Sequence, residues 1–253
     1  MTPGPYRPDR ATFAELCARY PVVPVWRDVL ADAQTPVAAF ARLDPVPNAF
    51  LLESVEGGER WARYSFVGGD AFAVVKAKDG RLWTEGAPLV EPAPGEPPLA
   101  YVRRLVEELR APALPGLPPL HGGAVGYLAY EVASRFERLP VPASDELGLP
   151  LAIFSFTETV LAFDHLKHRL RVITHLHLDA PDLEAEYRRG QQTIERICAR
   201  LQEELKGRTL VLITHRPPLL QLVVRIIVIE RGKVAADGPR DAVLKQIMRP
   251  KAA

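Results

Sequence analysis

The sequence predicts an α+β domain with an antiparallel sheet and packed helices over its first two hundred residues, followed by a short tail built differently. Three observations carry that prediction. Strand-like runs meet at short polar turns, with Asp79-Gly80 giving the strongest hairpin signal. Two helical segments, Leu99 to Leu109 and Asp182 to Leu205, each carry one apolar stripe at helical spacing. After Lys206-Gly207 the pattern becomes a continuous β-branched run, Thr209 to Thr214, of the kind found in fully buried parallel strands. The composition suits a packed chain: of 253 residues, 47% are hydrophobic and 25% charged, too apolar for wholesale disorder.

Taken in order, Asp9 opens a short helix that buries Phe13, Leu16 and Cys17 and stops at Pro21. Val22 to Val29 reads as a strand despite Pro24. Thr35-Pro36 is a helix start, a capping hydroxyl followed by a proline whose missing N–H costs nothing at the first helical position. That helix runs from Val37 to Leu43. Strands are expected at Ala49 to Ser54, Tyr64 to Val67, Ala71 to Lys78 and Arg81 to Thr84. Residues 86–98 hold five prolines and two glycines and form a surface loop. The stripe of the next helix is Leu99, Val102, Leu105, Val106 and Leu109. Leu151 to Phe163 and Leu170 to Leu178 are strands flanking a turn at Asp164 to Arg169. The long helix turns Leu183, Tyr187, Ile194, Ile197, Cys198 and Leu201 inward. In the tail, Pro217 to Val223 reads as a helix and Ile226 to Ile229 as a second buried strand. Arg231-Gly232 then turns into Lys233 to Ala236, and Pro239 begins a closing helix. The tail is thus a small β-α-β-hairpin-α piece, and the expected domains are residues 1–204 and 205–253.

Charge changes at the same joint. Residues 206–253 carry 10 Lys/Arg against 3 Asp/Glu, net +7, whereas the preceding residues carry 22 against 28, net −6. The basic charges punctuate two buried strands rather than forming an exposed cluster with aromatics, so no nucleic-acid partner is expected. No apolar run approaches the roughly 18 residues of a membrane span, and the first residues have no secretory apolar core. Cys17 and Cys198 fit no disulfide or metal pattern. A cytoplasmic location is expected.

Three constellations bear on chemistry. His165, His168, His175 and His177 are the right residue type for a metal. Two of them flank a turn, however, and the other two share a strand face without an acidic or cysteine ligand nearby, so structural roles are favoured. Gly122-Gly123-Ala124-Val125-Gly126 lacks the spacing of a dinucleotide or phosphate cradle, and its glycines are expected to let the backbone pass close to another element. Glu53-Ser54 ends an apolar strand ahead of Gly57-Gly58 and Arg60-Trp61. A carboxylate, a hydroxyl and a guanidinium there suit a small zwitterion, and a solvated strand end is the competing reading.

The run from Leu51-Leu52-Glu53-Ser54 through Arg60-Trp61-Ala62-Arg63-Tyr64-Ser65-Phe66-Val67-Gly68 closely resembles the amino-terminal region of the large, chorismate-using subunit of anthranilate synthase. Val23 to Asp32 with Thr35-Pro36-Val37, His121 to Tyr130, and Phe163 to Leu170 resemble further segments of that family in the family's order, covering about residues 10–202. The resemblance implies a lyase of tryptophan biosynthesis that converts chorismate and ammonia to anthranilate and pyruvate with magnesium, the ammonia coming from a glutamine amidotransferase partner subunit. It further implies that Leu52, Glu53 and Ser54 line the feedback site for L-tryptophan, with the apolar strand offered to the indole. The family's catalytic domain, which follows the helix equivalent to Asp182–Leu205, has no counterpart in this sequence. No catalytic residue, metal ligand or cofactor is therefore expected in the chain, and it is not expected to make anthranilate alone.

Thr209 to Pro217 and Arg225 to Gly238 instead resemble the end of an ABC-transporter ATPase domain, about residues 205–248, with His215 matching its switch histidine. The P-loop, the signature motif and the catalytic carboxylate strand have no match, and Val224 stands where that family usually has Asp. The alternatives are a related aminodeoxychorismate synthase fragment, a transporter-associated protein acting through the tail, and a rearranged sequence with no selected function. The orphan apolar strands of the tail are expected to lower solubility.

Overall fold

Asp9 caps the first helix, α1 (Arg10–Cys17), its carboxylate accepting the Thr12 N–H at 2.9 Å. The computed structural model describes residues 6–30, 34–43, 47–53, 63–87, 90–135, 137–138, 145, 147–177, 182–202, 223–230 and 232–247. Strand β1 (Val22–Leu30) follows, then α2 (Pro36–Arg42), whose Thr35 cap accepts the Ala38 N–H ahead of Pro36 at its first position. Next come β2 (Phe50–Leu52), β3 (Tyr64–Lys78) and β4 (Arg81–Gly86). Asp79 and Gly80, both at positive φ, make the tight turn between β3 and β4. Helix α3 (Pro98–Glu108), β5 (Ala124–Leu128), a 3-10 turn (Tyr130–Arg135), β6 (Ala152–Asp164), β7 (Arg169–His177) and α4 (Leu183–Gln202) complete the larger of two compact units, which runs to Leu201.

One seven-stranded antiparallel sheet organises that unit, with the order β1-β7-β6-β3-β2 and with β4 beside β3 and β5 beside β6. The fold class predicted from sequence is what this topology shows. At its centre β3 and β6 pair from Tyr64 opposite Asp164 to Ala77 opposite Ala152. The sequence reading divided β3 in two at Gly68-Gly69-Asp70; the structure instead carries one strand through, with a bulge between Ala71 and Ala73.

The bulge has a packing consequence. Ahead of it, Val67 points into a cluster with Phe13, Leu161, Leu170, Tyr187 and Ile194, the face covered by α1 and α4. Phe66, of opposite parity, lies on the other face with Trp26, Val160 and Ile173, under Leu114, Leu117 and Leu120 of the proline-rich 112–120 loop. Beyond the bulge, Ala73 and Val75 join Phe156 against Tyr101, Val102 and Leu105 of α3. Phe156 shares its parity with Val160, so odd residues of β3 now face the side that even residues faced before.

Two helical stripes shift from expectation. On α3 the buried residues are Tyr101, Val102 and Leu105, while Leu99 and Val106 remain largely exposed. Tyr101 takes the core position because its hydroxyl reaches the Val90 carbonyl at 2.7 Å, so its polar end is satisfied. On α4 Leu183 is exposed, whereas Tyr187, Ile194, Ile197, Cys198 and Leu201 are buried as expected. Burial raises the Cys198 thiol pKa to about 11, which makes it an inert core residue.

A charged junction ties β1 to α4. Arg27, almost wholly buried, donates to Glu195, and the Tyr6 hydroxyl donates to the same carboxylate oxygen. Arg27 Nε is buried with no hydrogen-bond partner, so Glu195 is what compensates the cation.

The second unit begins at Gln202. Its described part is a hairpin of β8 (Arg225–Glu230) and β9 (Lys233–Pro239), followed by α5 (Arg240–Ile247). The strand expected to be buried is not: Ile226 is, but Ile227 is 55% and Ile229 69% exposed. Among the described residues this ribbon is flanked by one short helix, too little cover to bury both strand faces. Arg225 and Asp237 pair across the strands at 2.8 Å, an exposed bridge of little energetic weight. The expected strand Leu210–Ile213 and helix Pro217–Val223 lie outside the described residues, apart from Val223 itself. No helix among the described residues is long and apolar enough to cross a membrane.

Two outcomes follow. Glu195→Leu should cost about 2 kcal/mol, read from urea unfolding, because it strands Arg27; adding Arg27→Met should recover part of that loss. A chain ending at Leu201 should remain monomeric by size-exclusion chromatography at concentrations where the full chain associates through the apolar ribbon. The reverse order would refute the second expectation.

Candidate functional site

The short edge strand β2 holds the predicted binding residues that are described. It pairs with β3, placing Phe50 opposite Gly68, Leu51 opposite Val67 and Leu52 opposite Phe66. Gly68 lies under the Phe50 ring, where a Cβ would stand 2.3 Å from the ring and push it aside. Alternation then divides the pair of leucines. Leu51 packs against the helix-covered core, whereas Leu52 faces the opposite side with Phe50 and Phe66 and is 42% exposed. Glu53 follows, also exposed. The structure thus brings Leu52 and Glu53 together at an open strand end. Ser54, Gly57-Gly58, Arg60-Trp61 and His215 all lie outside the described residues.

The same end of the sheet is rich in charge. Arg63 grips Asp164 with two hydrogen bonds, at 2.8 and 3.1 Å, and its guanidinium lies 4.8 Å from the Tyr64 ring centre. Burial pushes the Asp164 carboxyl pKa up, but the hydrogen bonds from Arg63 and the Lys167 N–H outweigh it and leave the group more acidic than usual. Asp28 behaves alike, held ionised against burial by Arg171 at 2.6 and 2.9 Å and by Arg169 at 3.3 Å. These groups line a cleft of about 120 Å³ with Tyr64, Lys167 and Leu117. Beside it, the Ser65 hydroxyl and His165 Nε2 are 2.7 Å apart. Sequence reasoning did not connect these partners, which are some hundred residues apart; only the inward polar position of Ser65 in an apolar strand hinted at one.

The four histidines separate into two groups. His165 is engaged with Ser65, and His168 occupies the β6–β7 turn at positive φ. His175 is buried on β7, with Nδ1 3.2 Å from the Glu158 carbonyl and Nε2 3.2 Å from His121 Nδ1. His177 meets the Phe72 ring edge-on at 4.3 Å. Among the described residues, no group of three or more His, Cys, Asp or Glu side chains is placed to hold a metal ion. The glycine segment does what close approach requires. A Cβ on Gly122 would lie 2.6 Å from the His175 ring, and one on Gly126 would lie 1.9 Å from the Ile153 carbonyl oxygen.

Comparison with known proteins gives a consistent set of relatives. The chain is 39% identical over 161 residues to anthranilate synthase component 1 of Acetivibrio thermocellus, which covers 63% of this chain and 32% of the relative. It is 40% identical over 166 residues to the protein of that name from Mycolicibacterium smegmatis, covering 65% and 32%. With the Pseudomonas aeruginosa protein of the same name it shares 34% over 205 residues, covering 79% and 41%. The chain therefore spans about a third to two fifths of the length of these relatives. Among solved structures, anthranilate synthase component I from Streptococcus pneumoniae aligns with a TM-score of 0.42 and 22% identity, over 69% of this chain and 38% of that one. No protein-family model matches the chain.

Full burial depresses the His175 pKa to about 3, so the folded protein holds this ring neutral while the unfolded chain protonates it below pH 6.5. Its stabilising contribution is complete above pH 6.5 and declines as the pH falls from there towards 3. By pH 5 the loss relative to high pH is about 2 kcal/mol, its slope approaching about 1.36 kcal/mol per pH unit. The carboxylates above titrate at lower pH, so this window reports the buried histidines, His175 together with His121, whose pKa burial also lowers. The pH dependence of the urea midpoint should flatten between 6.5 and 5 in His175→Asn; an unchanged slope would remove His175 as its source.

Proposed function

We propose that this chain is the amino-terminal portion of an anthranilate synthase component 1-like protein and carries one half of an L-tryptophan feedback site. The observation that carries the reading is the divided leucine pair of β2. Leu51 anchors the strand in the core, and Leu52 is left as an open apolar surface beside Phe66, directly ahead of Glu53. An indole ring would lie on that surface, and Glu53 with Ser54 would meet the charged amino-acid head. Relatives at 34–40% identity over most of the chain support the family reading.

Anthranilate formation is not proposed for the chain alone. Leu52, Glu53 and Ser54 are suited to holding a ligand rather than to proton or group transfer. A glutamine amidotransferase subunit is the proposed protein partner, by the same family reading. The amino-acid branch is preferred to the aminodeoxychorismate one because Glu53 and Ser54 follow the leucines. The likeness of residues 205–248 to the end of an ABC-transporter ATPase domain is carried by sequence only. Without a P-loop, His215 would give no ATP affinity.

Isothermal calorimetry of the full chain with L-tryptophan tests the reading. Saturable binding in the high-micromolar to millimolar range is expected, weakened about tenfold by Ser54→Ala and by Leu52→Asp, as loss of one hydrogen bond or one apolar contact requires. No saturation at millimolar tryptophan overturns the feedback half-site. Saturable ATP binding would favour the transporter-associated reading instead.

A further inference from the structure

His121, His175 and His177 meet at a cavity that shares no lining residue with Leu52 or Glu53. Its volume is about 220 Å³, and its walls are Phe72, Phe156, Val22, Val106 and Leu109, with Thr157 and the Gly122-Gly123 backbone beside the histidines. Phe72 and Phe156 stand edge to face, with centroids 6.3 Å apart. A cavity of about 150 Å³ holds a benzene ring, and drug-sized ligands need about 300 Å³ or more. The space here suits one ring with two small substituents.

The hydrogen-bond direction around the histidines is fixed by one atom. The Glu158 carbonyl can only accept, so His175 Nδ1 carries the hydrogen of their 3.2 Å contact. His175, kept neutral by burial, therefore presents a lone pair at Nε2, and His121 Nδ1 donates into it. That leaves Nε2 of neutral His121 as an acceptor. Among the described residues, His175 is the only hydrogen-bond partner of the His121 ring, and burial lowers the His121 pKa too. The two ring planes are 13° apart. Glycine at 122 is what allows the loop to set them so, and Gly123 at a φ of 97° completes the turn.

Among the described residues of the lining, Arg110 is the only Lys, Arg, Asp or Glu. It is exposed at the rim, with its guanidinium 5.6 Å from the Tyr20 ring centre. An apolar aromatic slot with one fixed acceptor inside and one cation at the mouth selects a definite chemistry. We propose that this cavity binds a small planar aromatic acid, its ring between Phe72, Phe156 and His121, an O–H or N–H donor on His121 Nε2, and its carboxylate on Arg110. Recognition by His121 depends on His175 holding the His121 tautomer, so His175 is a positioning residue.

Three probes separate the contributions by calorimetry on the full chain. 4-Hydroxybenzoate offers ring, donor and carboxylate; benzoate lacks the donor; phenol lacks the carboxylate. One-to-one binding of 4-hydroxybenzoate below millimolar concentration is expected, with benzoate and phenol each about tenfold weaker, since one hydrogen bond or one charge contact is missing. His121→Phe keeps the ring and should bring 4-hydroxybenzoate down to the level of benzoate. Arg110→Gln, a change at an exposed rim position that leaves the core intact, should weaken both acids about tenfold and leave phenol unchanged. No saturable binding of any probe at millimolar concentration overturns the proposal. So does binding that neither variant alters. Ser54→Ala should leave these affinities unchanged, which keeps this cavity's result separate from that of the tryptophan site.

Discussion

The antiparallel ladder between β3 and β6 is the constraint on which the larger unit depends. Each strand is long enough to carry two further partners, β2 and β4 on the outer edge of β3, β7 and β5 on that of β6. The helices and the proline-rich loop cover faces that this ladder defines. Core packing alone does not fix such an arrangement, because apolar faces tolerate more than one partner. Register does, since a slip of one residue would exchange the faces of every side chain along the pair.

The candidate site owes its openness to the shortness of β2. A longer strand would have covered Leu52 with a neighbour on its own face. Three residues are enough to pin Leu51 and too few to bury Leu52. The histidine cavity is formed in the opposite way. There the polar groups are held rigidly by burial, and their direction follows from one carbonyl that can only accept. One location offers an apolar surface with polar groups at its margin; the other offers a slot whose donors and acceptors are already assigned.

Much of the architecture could be read from the residues alone, for local reasons. Thr35-Pro36 and Asp9 announced their helices because capping is a matter of adjacent atoms, and Asp79-Gly80 announced its hairpin for the same reason. The continuity of β3 was not legible, because Gly68-Gly69-Asp70 looks like a break when the pairing on both sides is unknown. Nor was the rotation of the α3 stripe towards Tyr101, which depends on a carbonyl at Val90 eleven residues away. Ser65 with His165 and Arg63 with Asp164 were out of reach because strand order, not spacing, unites them. The apolar strand of the tail was read as buried because β-branched composition signals burial, yet composition does not say whether a second layer exists to cover it.

The bulge between Ala71 and Ala73 has one more consequence, at the level of the gene. Two halves of β3 are written out of phase, and a single extra residue reconciles them with the unbroken alternation of β6. A point substitution at the bulge changes one side chain. Loss of the Phe72 codon would leave the frame intact and close the bulge, keeping Val75 against α3, whereas loss of one codon between Ala73 and Val75 would turn every residue from there to the hairpin to the opposite face. In this strand an in-frame indel away from the bulge is a graver lesion than a point substitution, and the bulge is the one place where a change of length leaves the faces in order.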